Sequence, residues 1–210
     1  MSRIIDLTVS VTDGQRGVAI EPARRIETDG WNATTLHLYS HSGTHMDAPK
    51  HFDVSEQTID EIPLAKCMGP AWVVNLAGIE PRALIGVDNV VTIAEKIQPG
   101  DGLLLRTDWC RRIGDPSYRN SLPRVSLELA QWCAEKGVRT LGVEPPSVAD
   151  VNNREELTAV HRALLGAGIV IVEGLTNLDQ IRNEKVTFIA LPLKVARGDG
   201  APARALAVED

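Results

Sequence analysis

Apolar and polar residues alternate along the first third of the chain. From about residue 86 the apolar residues instead recur at helical spacing, between short unbroken apolar runs. Alternation is the period of a strand with one covered face, and 3.6-residue spacing is that of a helix. "RIIDLTV" therefore reads as a short strand. "TTLHLYSHSG" (34–43) reads as a half-buried strand that breaks at Gly43, and "AWVVNLAG" (71–78) as a compact apolar strand. "VDNVVTIAEKIQPGD" predicts a helix closed by Pro-Gly, and "GLLLRTDW" (102–109) a strand whose end carries polar groups. "SLELAQWCAEKG" opens with Ser126 as N-cap and stops at Gly137, a suitable C′ residue. "VRTLGVE" is a buried strand, "NREELTAVHRALLGAG" the clearest helix, and "IVIVEG" the strand after it. In the late strand "VTFIALPLKV", Pro192 suggests an edge or a bulge. Helix–strand alternation behind a strand-rich front predicts an α/β fold with a mixed sheet. No repeat, low-complexity segment or linker interrupts it, so residues 1–210 are expected to form one domain.

Composition narrows this picture. Apolar residues make up 43% and charged residues 24%, ordinary for a water-exposed globular protein, while aromatics at 4% imply an aliphatic core. A net charge of -6 without a dense Lys/Arg stripe argues against a nucleic-acid surface, and "RRIGDPSYR" (111–119) reads as a polar loop. No apolar run approaches the roughly 20 residues of a membrane helix. "MSRIIDLTVSVTDG" lacks the basic and apolar regions of a signal peptide, so a cytoplasmic location is expected. Cys67, Cys110 and Cys133 are widely spaced with no CxxC, which suits reduced, mostly buried thiols.

Three of the five histidines lie in "HSGTHMDAPKHF" (41–52), where His41, His45, Asp47 and His51 fall at offsets 0, 4, 6 and 10. Gly43 and Thr44 between the first two histidines, and Pro49 after, argue for a strand end turning into a loop rather than a helix. If extended, residues 45 and 47 share a face, and Ala48 before proline stiffens the segment. Imidazoles plus a carboxylate are a common ligand set for zinc or manganese, and Asp47 has two oxygens with which to bridge two ions. The plainer alternative is a polar loop with solvated histidines. The density of ligand types in a histidine-poor chain favours metal. A second pair is His161, flanked by Leu157, Val160, Leu164 and Leu165, with Glu173 at the end of the apolar run "GIVIV". A carboxylate there is expensive unless paired or metal-bound. A satisfied core histidine with a backbone-capped glutamate explains the pair equally well, and spacing alone does not join it to the first cluster.

"HSGTHMDAPKHF" resembles the HxGTHxDxPxH signature of the putative cyclase family, which includes bacterial kynurenine formamidases and isatin hydrolases. "LLLRTDW", "LGVEPPSV", "HRALLGAGIVIVEGLTNL" and "FIALPLKVARGDGAPARALAV" resemble further segments of that family, so the likeness covers most of the chain. The resemblance implies a swivelling β/β/α domain and a divalent metal centre of one or two Zn or Mn ions per chain. By motif, His41, His45 and Asp47 would hold one ion, and Asp47, His161 and Glu173 a second. His51 matches the histidine assigned to proton transfer. The implied activity is metal-dependent hydrolysis of an amide or formamide, and the alternative within the family is hydrolysis of a cyclic amide, as of isatin, or of a lactone. A non-catalytic metal-binding protein is the alternative of another class, although it needs no proton carrier at His51. The resemblance also implies a small-molecule substrate and a homodimer or homotetramer. Trp109, after a strand end, and Ser147 in "PPSV" are the candidate substrate-binding residues, with Trp31 and Tyr39 as further candidate aromatics. Two departures fall near the pocket: Glu144 replaces the family aspartate, and "VADVNNREEL" stands where formamidases carry another sequence. The resemblance therefore fixes the reaction class more firmly than the substrate.

Overall fold

A computed structural model describes residues 2–209. In chain order the strands are β1 (Arg3–Asp6), β2 (Val18–Arg24), β3 (Ala33–Leu38), β4 (His45–Asp47), β5 (Met68–Asn75), β6 (Leu84–Ile85), β7 (Gly102–Arg106), β8 (Arg124–Val125), β9 (Thr140–Val143), β10 (Val170–Glu173), β11 (Lys185–Pro192) and β12 (Gly200–Glu209). The helices are α1 (Ile26–Asp29), α2 (Leu64–Cys67), α3 (Ser117–Asn120), α4 (Leu127–Glu135) and α5 (Arg154–Gly166).

The main sheet runs β1-β12-β11-β5-β7-β9-β10-β4, and β4 also pairs with the start of β12. That last pairing closes the strands from β12 round to β4 into a barrel. β5, β7, β9 and β10 are mutually parallel and the remaining pairs antiparallel, giving the expected mixed sheet. Of the parallel strands, β7, β9 and β10 are buried on both faces, which is why their sequences are nearly continuous apolar runs. Leu104 of β7 and Val170 and Val172 of β10 point into the barrel, with Met46, Phe188 and the alanines of β12. Leu103, Leu105 and Ile171 point outward, against Leu129 of α4 and Val160 and Leu164 of α5. Each such side chain contributes about 1.5–3 kcal/mol by burial. Alanines at 201, 203, 205 and 207 keep the interior narrow enough to fill with side chains.

Ser126 caps α4 by accepting a hydrogen bond from the Leu129 N–H (3.0 Å). Gly137 takes φ 67° just beyond the helix. Pro192 lies past the last β5 partner of β11, so at that point the strand is paired only with β12.

Two expectations are corrected. The helix predicted from Val87 onward is a 3-10 segment, Val87–Ile93, in which five of seven residues are β-branched and the Asn89 side chain binds the Gly86 N–H. The strand at 34–38 is not half-buried: with β2 it forms a ribbon whose residues are mostly exposed.

Candidate metal centre

Register brings the first groups together. Across the antiparallel β4–β10 pair His45 stands opposite Glu173, and Asp47 opposite Ile171. Met46 and Val172 face the barrel interior, so His45, Asp47 and Glu173 face outward by strand alternation. The buried face of α5 packs on that outer side and lowers His161 onto the same point. His45 Nε2 is 3.1 Å from Glu173 Oε2. His161 Nε2 is 3.4 Å from Glu173 Oε1 and 3.7 Å from Asp47 Oδ2. His41, in the turn before β4, places Nδ1 2.9 Å from Asp47 Oδ1. The two sequence clusters thus meet in one buried centre.

Two glycines make room for it. A Cβ on Gly200 would lie 2.7 Å from His41 Cε1 and 2.7 Å from the Met46 carbonyl. Gly174, at φ 67°, lets the turn after β10 approach the Gly43 carbonyl more closely than any side chain permits. Thr44 ties these turns together by donating to the Gly174 carbonyl at 2.6 Å.

The protonation pattern reveals what the centre is built to hold. His45 Nδ1 is 2.9 Å from the Gly43 carbonyl, and His161 Nδ1 is 2.7 Å from the Leu157 carbonyl. A carbonyl only accepts, so both Nδ1 atoms carry protons and both Nε2 atoms face carboxylate oxygens. Lone pairs opposed at such distances require a proton or a cation between them. Burial works against protonating His45 and His161, but Glu173 and then Asp47 outweigh it and raise both. Burial likewise opposes charge on His41, yet Asp47 and Asp199 push it up to about 9. Burial would raise Glu173, but His161 and His45 hold it below the ordinary carboxylate range. Asp47 Oδ2 is buried with no hydrogen-bond partner among the described residues. Imidazoles fixed through Nδ1, two buried carboxylates and one orphaned oxygen fit a divalent cation with N/O ligands. Ligand atoms of His41, His45 and Asp47 lie within 4.8 Å of one another, as do those of Asp47, His161 and Glu173.

His51 sits beside these groups, on the 3-10 turn Pro49–Phe52. Its ring stacks on His41 with centroids 3.9 Å apart, and its Nδ1 is 3.4 Å from Asp199 Oδ2. Burial lowers its pKa. A cleft of about 160 Å³ holds His51 together with His41, His45, His161 and Glu173, and Ser147 lines it. A neighbouring cavity of about 560 Å³ is walled by residues of the loops near Arg16 and Tyr118.

Trp109 is not brought to either cavity. It is 2% exposed, and its indole N–H is bonded to the Tyr118 carbonyl at 2.8 Å. The chain turns back after β7 because buried Glu144 accepts the Thr107 and Trp109 N–H groups at 2.8 and 3.1 Å, swinging Trp109 into the core. Glu144 therefore pins a loop, and burial raises its pKa. Trp31 is exposed beyond the ribbon, whereas Tyr39 lines the smaller cleft. The three cysteines are free thiols.

Sequence reasoning missed Asp199, whose Oδ2 lies 2.9 Å from His41 Nε2 and also reaches His51. The Asp199 carbonyl accepts the Ala48 N–H at 3.0 Å, so this contact exists only because β12 closes the barrel against β4. It missed Phe52, stacked on His161 with centroids 4.3 Å apart, as well as Arg16 and Arg119, which line both cavities. A tetrad of ligand types in one stretch was visible; partners supplied across the barrel seam were not.

A sequence profile for the family described as "Putative cyclase" matches residues 5–150. A kynurenine formamidase of Bacillus cereus is 30% identical over 180 residues, 86% of this chain and 81% of the relative. One from Geobacillus thermodenitrificans is 32% identical over 182 residues, 86% and 82% of the two chains. Among solved structures, isatin hydrolase A from Labrenzia aggregata, bound to benzyl benzoate, superposes with a TM-score of 0.87 at 27% identity, covering 99% of this chain and 93% of that one.

Proposed function

The chain belongs to the putative cyclase family, and from that premise we propose that it is a metal-dependent hydrolase of a formamide, of the kynurenine formamidase type. The observation that carries the reading is the meeting of His45, Asp47, His161 and Glu173, with the orphaned Asp47 oxygen, beside a further histidine. His41, His45 and Asp47 would hold one Zn or Mn ion, and Asp47, His161 and Glu173 a second where one binds. When bound, such an ion supplies Lewis acidity, lowering the pKa of water from 15.7 toward about 7 and polarising a carbonyl oxygen.

The protein's own residues do the rest. His45 and His161 are locked in one tautomer by the Gly43 and Leu157 carbonyls, so their Nε2 atoms need no rearrangement. Asp199 faces His51 Nδ1, which leaves Nε2 as the proton-accepting atom. His51 takes the proton of the attacking water and delivers it to the leaving nitrogen as the C–N bond breaks, giving formate and an amine. Ser147, in the wall of the smaller cleft, contacts the substrate. The protein works in the cytoplasm as a homodimer or homotetramer.

A second reading, hydrolysis of a cyclic amide, is favoured by the near-complete overlap with isatin hydrolase A. A panel of N-formylkynurenine, isatin and a simple lactone, offered to metal-loaded protein, separates the two. Formate release from the first, with little turnover of the others, is expected. Turnover of isatin alone would transfer the assignment to the cyclic amide, and turnover of none would overturn both.

A further inference from the structure

The two cavities share five lining residues: His41, His45, Pro146, Arg16 and Arg119. Two are imidazoles of the metal centre. The other two charged groups are guanidiniums, contributed by the loop before β2 and by α3, which lie about a hundred positions apart in the chain. Among the described residues neither guanidinium has an ion-pair or hydrogen-bond partner; Arg16 only overlies the Tyr39 ring at 5.6 Å. The neighbouring arginines behave differently. Arg111 pairs with Asp108 at 3.2 Å and with Asp179 at 3.4 Å, and Arg112 covers the Trp109 ring at 4.4 Å.

The cavity has acids of its own, but they are engaged elsewhere. Asp13 accepts the Ile20 N–H at 3.0 Å, and Asp115 accepts the Ser117 N–H at 2.6 Å, each fixing its own turn. Arg119 is half-buried, and burial together with the nearby charge of Arg16 works against its ionised form. Two like charges held at one cavity junction without a counter-ion are unfavourable on their own. They become favourable when an anion enters, since guanidinium forks bind a carboxylate through paired, charge-assisted hydrogen bonds. Glu173 favours the Arg119 charge across the cleft, but its own charge is already shared by His45 and His161.

We propose that Arg16 and Arg119 form a carboxylate-recognising subsite at the mouth of the metal centre, so that the preferred substrate is an anionic amide bearing its carboxylate away from the scissile bond. This deepens the hydrolase reading and rests on it. The subsite selects substrate by charge and takes no part in bond cleavage. A cavity of about 560 Å³ is large enough for an aromatic acid.

The test uses metal-loaded full-length protein and two matched substrates, 3-formamidobenzoate and its neutral isostere 3-formamidobenzamide. The wild type should prefer the acid in kcat/KM. In Arg119→Gln and in Arg16→Gln the acid-over-amide ratio should fall at least tenfold, through KM for the acid. Arg111→Gln, outside both cavities, should leave the ratio within twofold. Calorimetric titration of the same proteins with benzoate and benzamide gives a readout independent of turnover: benzoate affinity should drop at least tenfold in each cavity variant and benzamide affinity should not. If neither formamide is hydrolysed, the formamidase reading fails while the titration still judges the subsite. An unchanged ratio, or unchanged benzoate affinity in both variants, would overturn the subsite.

Discussion

At the scale of single residues, the centre is a set of geometric locks. His51 is the one imidazole of the cluster that faces a cleft without being opposed by a buried carboxylate of the strand pair. His51→Ala is expected to lower kcat by about 10²–10⁴-fold while metal per chain is unchanged, checked by initial rates alongside elemental analysis. Glu173→Gln should act the other way round. It removes the negative charge shared by His45 and His161, so metal affinity should fall at least about 100-fold, beyond the 10–100-fold typical of outer-shell partners, as read by chelator competition. The metal-free chain should also show a pH signature. His41 has a folded pKa of about 9 against 6.5 unfolded, so its contribution is complete below 6.5 and is lost as pH rises through about 9. Thermal denaturation of metal-free protein should therefore show stability declining over that window. His41, His45, Asp47 and His51 were legible because four ligand types crowded one stretch. Asp199 was not, because a lone aspartate before an alanine-rich strand looks like an ordinary surface residue until the barrel closes beside it.

At the scale of elements, helices with a cap and a clear period were legible, and so were apolar parallel strands. Ser126 and Asn153 both accept the N–H three residues on, at 3.0 and 3.2 Å. Ser126→Ala should destabilise the fold by about 1 kcal/mol, lowering the thermal midpoint without altering metal content, since α4 carries none of the candidate ligands. The segment from Val87 misled because its apolar spacing suits a helix while its β-branched residues do not. The ribbon of β2 and β3 misled in the opposite sense: alternation normally reports one covered face, and here Leu36 is 55% exposed. Trp109 misled because polar residues at a strand end suggested a site, whereas buried Glu144 turns the chain so that the indole joins the core.

At the scale of the whole molecule, the α/β class and mixed sheet were legible from the order of elements, but barrel closure was not. Local pattern does not disclose that β12 pairs with β4 as well as with β11, and that pairing sets the seam where Asp199 meets His41 and His51. Because the centre ties β4, α5 and β10 together, a bound cation should stabilise the entire fold by mass action, by about 2.7 kcal/mol at a hundredfold excess over Kd. The most direct test of the account is formate release from a formanilide by protein stripped with a chelator, before and after Mn or Zn is returned. Release should be negligible in the stripped protein and restored by the ion. Undiminished release from protein shown to be metal-free would contradict the account.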